Sequence, residues 1–178
     1  MKSIIIFIFG LFFMSFISKH ANSQIHIGVG INYGNRIEGA EWASSNDLLP
    51  GFDEAHSFGL EFKGVYDLNS NWALASSLQY YFPRYPNRRR EHKGSINLNV
   101  HRVIWNESAA QVYILAGINN SMIYYRSKDR PKSFSKSKLG TTLGIGFKTK
   151  GKHQFYSDLK WNTPFNSPIF SIGVLFRL

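Results

Sequence analysis

Residues 24–34 (QIHIGVGINYG) carry Ile25, Ile27, Val29, Ile31 and Tyr33 at every second position, with His26, Gly28, Gly30 and Asn32 between them. Successive side chains of a strand point to opposite faces, so a period of two predicts a strand with one large apolar face and one small or polar face. The alternation recurs along the chain. A second segment sets Phe58, Leu60, Phe62, Gly64 and Tyr66 against Ser57, Gly59, Glu61 and Lys63. A third sets Trp72, Leu74, Ser76, Leu78, Tyr80 and Phe82 against Ala73, Ala75, Ser77 and Gln79. The fourth has Ile96, Leu98 and Val100 against Ser95, Asn97, Asn99 and His101, and the fifth Val112, Ile114, Ala116 and Ile118 against Gln111, Tyr113 and Gly117. Both faces of the fifth are fairly apolar, which leaves its parity open. Leu139, Thr141, Leu143, Ile145 and Phe147 alternate with Gly140, Thr142, Gly144 and Gly146 in the sixth. Phe155, Ser157, Leu159 and Trp161 alternate with Tyr156, Asp158, Lys160 and Asn162 in the seventh. The eighth ends the chain with Phe170, Ile172, Val174, Phe176 and Leu178 against Ser171, Gly173, Leu175 and Arg177.

The connections alternate in length. Segments 67–71, 105–109 and 149–153 read as short turns, whereas 35–55, 83–93 and 119–137 are long, with 163–168 the shortest of that second set. In an up-and-down antiparallel sheet alternate connections share an end, so the short turns define one rim and the long loops the other. Segments of about 10 alternating residues with this asymmetry are the mark of an outer-membrane barrel. Aromatic residues cluster at the segment ends: Tyr66, Trp72, Trp105, Phe155 and Phe176 toward the short turns, and Tyr33, Tyr80, Phe82, Tyr124, Trp161 and Phe170 toward the long loops. Amphipathic rings favour both membrane interfaces. The predicted fold is therefore all-β, an eight-stranded antiparallel up-and-down transmembrane β-barrel. Closure follows from the solvent, because an open sheet edge in lipid leaves N–H and C=O groups with no partner. A secreted lipocalin-type barrel has the same strand number but turns its apolar face inward. Here the interleaved face carries Gly, Ser, Asn, Thr, Glu, Lys, Asp and Arg, which suits a small hydrated or ion-paired lumen better than an apolar ligand cup.

Residues 1–23 have a different pattern. Lys2 is followed by an almost unbroken apolar run from Ile4 to Ile17 and a short polar tail with Ala21 and Ser23. This is the layout of a secretory signal peptide cleaved before Gln24, and a run of about 14 apolar residues is short of the ~20 that a spanning helix needs. Residues 24–178 are then the barrel domain. The absence of cysteine excludes lipoprotein processing at that cut, a disulfide framework and thiol chemistry. The 178-residue chain is 43% hydrophobic and 16% aromatic yet only 18% charged, which excludes a disordered chain. Its mean hydropathy of -0.22 fits dispersed rather than blocked apolar residues.

The chain resembles the small eight-stranded outer-membrane barrels of the OmpA/OmpX type, particularly the outer membrane protein β-barrel families of Bacteroidetes-like bacteria. The resemblance spans almost all of residues 24–178 and includes the terminal strand FSIGVLFRL, which is similar to the C-terminal signal read by the barrel-assembly machinery. It departs from the usual pattern in ending on Leu178, with the aromatic Phe176 two positions earlier. The partners it implies are outer-membrane lipid and lipopolysaccharide, the barrel-assembly machinery during biogenesis, and an extracellular or periplasmic protein.

Candidate chemistry falls into two groups. Glu61, Lys63, His101, Asp158, Lys160 and Arg177 share the inward parity of their segments, as does His26, and are expected to form a lumen charge network. Such a network either gates a narrow path or simply fills the interior, since unpaired buried charge is costly. The net charge of +10 resides largely in the long connections: Arg84, Arg88, Arg89, Arg90 and Lys93 in one, and Arg126, Lys128, Arg130 and Lys132, with Lys136 and Lys138 beside them, in another. Arginine offers bidentate contacts to phosphate, so these are candidate contacts to lipopolysaccharide or another polyanion. Glu38, Glu41, Asp47, Asp53 and Glu54 give the first long connection the opposite sign. Arg102 is a misfit: the parity of Ile96, Leu98 and Val100 points it at lipid, while a bulge after Val100 would turn Val103 and Trp105 outward instead.

Some small barrels of this class modify lipid A by acyl transfer using His and Ser with a carboxylate. His56 with Ser57, His92 with Ser95 and His153 with Ser157 are the pairs available here, and none resembles the His-x-Ser strand motif of the deacylases. No glycine-rich phosphate loop, metal-ligand cluster or DNA-reading helix is present in the sequence, so no cofactor, metal or nucleic acid is expected. The expectation is a barrel with a structural, adhesive or surface-interaction role through its long loops, with a closed lumen and no enzymatic activity. An accessory barrel of a secretion system is the further alternative.

Overall fold

A computed structural model describes residues 24–35, 56–84, 89–127, 134–163 and 167–178. The expected leader at 1–23 and the acidic residues Glu38, Glu41, Asp47, Asp53 and Glu54 lie outside them. Eight strands run in chain order: β1 Gln24–Asn35, β2 His56–Asp67, β3 Trp72–Arg84, β4 Arg89–Asn106, β5 Ala110–Ser127, β6 Phe134–Thr149, β7 His153–Asn162 and β8 Ser167–Arg177. Each pairs with its chain neighbour, and β8 closes on β1 with Ile27 opposite Phe176 and Tyr33 opposite Phe170, giving a closed antiparallel barrel. Closure pairs the edges that lipid would otherwise strip of partners.

The wall is the inverse of a soluble protein. Val29, Phe62, Leu78, Leu98, Leu143, Phe155 and Leu159 are exposed on the outside, while Asn32, Glu61, Lys63, Gln79, Ser95, Asp158 and Lys160 are buried inside. This excludes the lipocalin arrangement and matches lipid as the outer solvent. The aromatic residues expected at the rims are outward, among them Trp72, Trp105 and Phe176 at the short-turn end and Tyr80, Tyr124, Trp161 and Phe170 at the other. In β5 the uncertain parity resolves with Ile114 and Ile118 outward and Tyr113 and Leu115 inward.

The short turns are locally determined. Asn69 Oδ1 accepts from the backbone N–H of Asn71 at 2.9 Å and of Trp72 at 3.0 Å, an Asx turn that delivers the chain into β3. Gly151 takes φ +125°, which L side chains rarely adopt, in the turn between β6 and β7. Arg102 stays outward and exposed with its guanidinium 5.5 Å from the Trp72 ring, and the bulge falls between Val103 and Trp105, two to three residues later than a bulge after Val100. It turns Trp105 outward but not Val103, which faces the periplasmic mouth.

The long connections are corrected. Residues 89–93, 119–127 and 134–137 are strand, so β4 and β5 reach 18 residues and β6 reaches 16. A spanning strand needs about 9–11, and β7 and β8 have 10 and 11. The surplus lies at the long-loop end, where β4, β5 and β6 continue as a three-stranded extension beyond the membrane.

Candidate functional site

Inward parity brings the charges of β2 and β7 together in the middle of the lumen. Lys160 Nζ donates to Glu61 Oε1 at 2.7 Å and Lys63 Nζ to Asp158 Oδ2 at 2.5 Å, with Lys160 also 3.8 Å from Asp158. All these side chains are buried, and two cations balance two carboxylates. The remaining lone pairs are used as well: Tyr156 hydroxyl donates to Glu61 Oε2 at 3.0 Å, Gln79 Nε2 to Glu61 Oε1 at 2.9 Å, and Tyr113 hydroxyl to Asp158 Oδ1 at 2.6 Å. The Lys63 ammonium also sits 4.2 Å from the Tyr156 ring centre. Full satisfaction of this kind is what a buried ion pair needs to persist.

Toward the long-loop end the inward face carries neutral amides and hydroxyls, with Lys93 buried beyond them. Gln79 Oε1 accepts from the Ser95 hydroxyl at 2.9 Å, and Asn97, Asn119, Ser121 and Thr142 continue the inward polar face. Toward the short turns, Asp67 accepts from Lys148 Nζ at 3.0 Å and lies 3.0 Å from His26 Nε2. Asp67, Lys148, Gln111, Trp72 and Val103 line a periplasmic vestibule of about 240 Å³ that is floored by His101 and Tyr113. Those two rings stack with centres 4.5 Å apart. Tyr113 needs space to lie across the bore, and Gly146 provides it: a Cβ there would collide with the Tyr113 ring and reach Asp158 Oδ1.

Of the expected network, Glu61, Lys63, Asp158 and Lys160 come together, and His101 joins through Tyr113. Arg177 does not: it is exposed at the short-turn rim, because strand β8 ends there and its inward parity points past the lumen. The sequence reading missed Tyr113, Tyr156 and Gln79 as network members, although each has inward parity, and missed Asp67 and Lys148 at strand ends.

The basic positions expected in loops are redistributed. Arg84 ends β3, Arg89 and Arg90 open β4, and Arg126 lies near the end of β5. Lys93 is buried in β4 and is not a loop residue. Arg88, Lys128, Arg130 and Lys132 lie outside the described residues. Two of the His/Ser pairs are separated by strand geometry. His92 faces outward whereas Ser95 is buried inside, and His153 and Ser157 are four residues apart along one strand. His56 and Ser57 are adjacent at the start of β2, and their side chains lie outside those described.

A closed barrel with an apolar wall, aromatic rims and an ion-paired interior defines a transmembrane barrel of the outer-membrane class. The chain belongs to the Surface lipoprotein assembly modifier family, whose model matches residues 15–158. Its fold is shared with outer membrane protein OprG from Pseudomonas aeruginosa, at 12% identity and TM-score 0.62 over 89% of this chain and 97% of that one. It is likewise similar to Ail, the attachment invasion locus protein of Yersinia pestis, at 15% identity and TM-score 0.57 over 88% and 97% of the two chains. Neisserial surface protein A matches at 9% identity and TM-score 0.57 over 88% and 96%. No curated protein sequence matches the chain. The resemblance to small eight-stranded outer-membrane barrels is thus borne out.

Proposed function

We propose that this protein is a non-conducting outer-membrane barrel that assists the assembly of lipoproteins at the cell surface. The family match over residues 15–158 carries the reading. The filled lumen supports it: a bore occupied by Glu61, Lys160, Lys63, Asp158 and Tyr113 leaves the wall, the rims and the extension of β4 to β6 as the working surfaces. The partners are then a lipoprotein client, the surrounding outer-membrane lipid and, during biogenesis, the barrel-assembly machinery. The separation of His92 from Ser95 and of His153 from Ser157 supports a role without acyl-transfer chemistry. The test is deletion of the gene followed by protease shaving of intact cells and envelope fractionation. Client lipoproteins are expected to stay membrane-bound while losing protease accessibility, and unchanged accessibility of every surface lipoprotein would overturn the reading.

A second reading is adhesion to sulfated polyanions. Ail is described in complex with the heparin analogue sucrose octasulfate, and in this chain Arg84, Arg89, Arg90 and Arg126 lie at the long-loop end. Retention of the refolded barrel on heparin, lost at high salt, would support it; passage without retention at low salt would sink it.

A further inference from the structure

Strand β6 is paired along its whole length on one side and along only part of it on the other. Its ladder with β5 runs from Thr149 to Phe134, without a register shift, whereas its ladder with β7 runs from Lys148 only to Thr142. The β7 side closes at Thr141, whose N–H donates to Thr163 Oγ1 at 2.9 Å and whose carbonyl accepts from the Thr163 N–H at 3.0 Å. In an antiparallel ladder the N–H and C=O of one residue point to the same side, and the side alternates from residue to residue. Leu139 and Ser137 therefore turn their peptide groups the same way as Thr141. On that side neither has a backbone partner among the described residues. The extension thus ends in an open strand edge that begins where Thr163 stops.

An open edge is a template for another strand, and proteins blunt it with proline, a bulge or charge. Residues 134–140 (FSKSKLG) contain no proline, two lysines and no acid. Lys138 is exposed, and Leu139, at 76%, is the most exposed large apolar side chain among the described residues. The charge decides which strand can pair. Two barrels in one membrane run their β6 strands in the same direction, so a second copy could pair only in parallel and would set Lys138 against Lys138. Like charges directly opposed destabilise a sheet, whereas opposite charges support it. The edge therefore excludes its own copy and favours a strand that carries carboxylates.

We propose that the free edge of β6 takes up an extended acidic peptide segment of another protein as an added strand. The main-chain groups of Ser137 and Leu139 supply the hydrogen bonds of such an augmented sheet. A carboxylate beside Lys138 and an apolar residue beside Leu139, on the opposite face of the strand, set the preference. This gives the extension a docking role that does not depend on the lipoprotein reading.

The test is amide hydrogen exchange, read by NMR on the refolded full barrel in lipid nanodiscs, with three short synthetic peptides. One alternates Glu with Val and Thr, the second has Lys in place of Glu, and the third is the Glu peptide N-methylated along its length. At about ten times its half-saturating concentration the Glu peptide should slow exchange of the Ser137 and Leu139 amides about tenfold. The Lys peptide and the N-methylated peptide should leave both unchanged. Ser137→Pro removes an edge N–H without touching the ladder to β5, and should bind the Glu peptide about fivefold more weakly than Ser137→Ala, which keeps that N–H. Heat-modifiable gel migration confirms that each variant is folded, and the exchange measurement on the unmodified barrel stands without them. Unchanged exchange with the Glu peptide, equal protection by either control peptide, or equal binding by the two variants would overturn the proposal. Slow exchange of both amides in the barrel alone would mean that the edge is already covered, by the chain itself or by a second copy, and would overturn it too.

Discussion

Lys160 on β7 holds Glu61 on β2 at 2.7 Å across the lumen, joining two strands that are not neighbours in the sheet. The bond ties opposite parts of the wall together where the backbone ladder cannot. Removing one partner strands a buried charge, which typically costs about 3–5 kcal/mol. Lys160→Ala and Glu61→Ala are each expected to lower the urea unfolding midpoint in detergent by that measure. Replacing both with apolar residues of similar volume should cost much less than the sum. Equal, additive losses would show that the pair is not coupled.

The same network predicts the absence of current. Glu61, Lys63, Asp158 and Lys160 are all buried and bonded to one another or to tyrosines, and a bore filled in this way is expected to carry no continuous water path. In planar bilayers the protein and its Lys160→Ala variant are both expected to show no single-channel steps. Steps in the protein itself would contradict a closed lumen, and steps confined to the variant would make the pair a gate.

Gly146 faces Tyr113 inside the barrel, and a methyl group there would meet the Tyr113 ring and Asp158 Oδ1. Forcing extra volume into a packed interior costs about 1–3 kcal/mol. Gly146→Ala should destabilise the barrel by that amount, measured by denaturant unfolding. Adding Tyr113→Ala should remove the clash, so the Gly146→Ala step costs markedly less in that background. An equal cost in both backgrounds would show that the Tyr113 ring is not what the methyl group meets.

The legible and illegible parts of the fold have one physical origin. Where a strand separates lipid from lumen, its two faces meet different solvents and the alternation is strong: Ile25 to Tyr33 and Phe155 to Trp161 could be read directly. The same parity placed Glu61, Lys63, Asp158 and Lys160 inside. Beyond the membrane both faces of a strand meet water, and selection for apolar alternation ends. Residues 89–93 and 134–137 therefore look like loop while their backbones pair as sheet. Arg177 was misplaced because parity gives the face of a residue but not its height along the barrel. Tyr113 and Tyr156 have inward parity but carry no formal charge, so a network read from charges alone omits them, although their hydroxyls make them partners for buried carboxylates.

The extension of β4 to β6 places Ser137 outside the membrane, Leu98 in the lipid-facing wall and Ser70 in a short turn. Ser137 is exposed and its hydroxyl donates to Asn120 Oδ1 at 2.6 Å, a pairing that belongs to a water-bathed ladder. The chain has no native cysteine, so single cysteines report without interference. With a membrane-impermeant maleimide on intact cells, Ser137→Cys should label fully, whereas Leu98→Cys should stay unlabelled until detergent is added. Ser70→Cys should label only after the outer membrane is permeabilised, because short turns face the periplasm. Protection of Ser137→Cys would shorten β6 to the membrane and withdraw the extension. Labelling of Ser70→Cys on intact cells would invert the barrel and exchange the roles of its two rims.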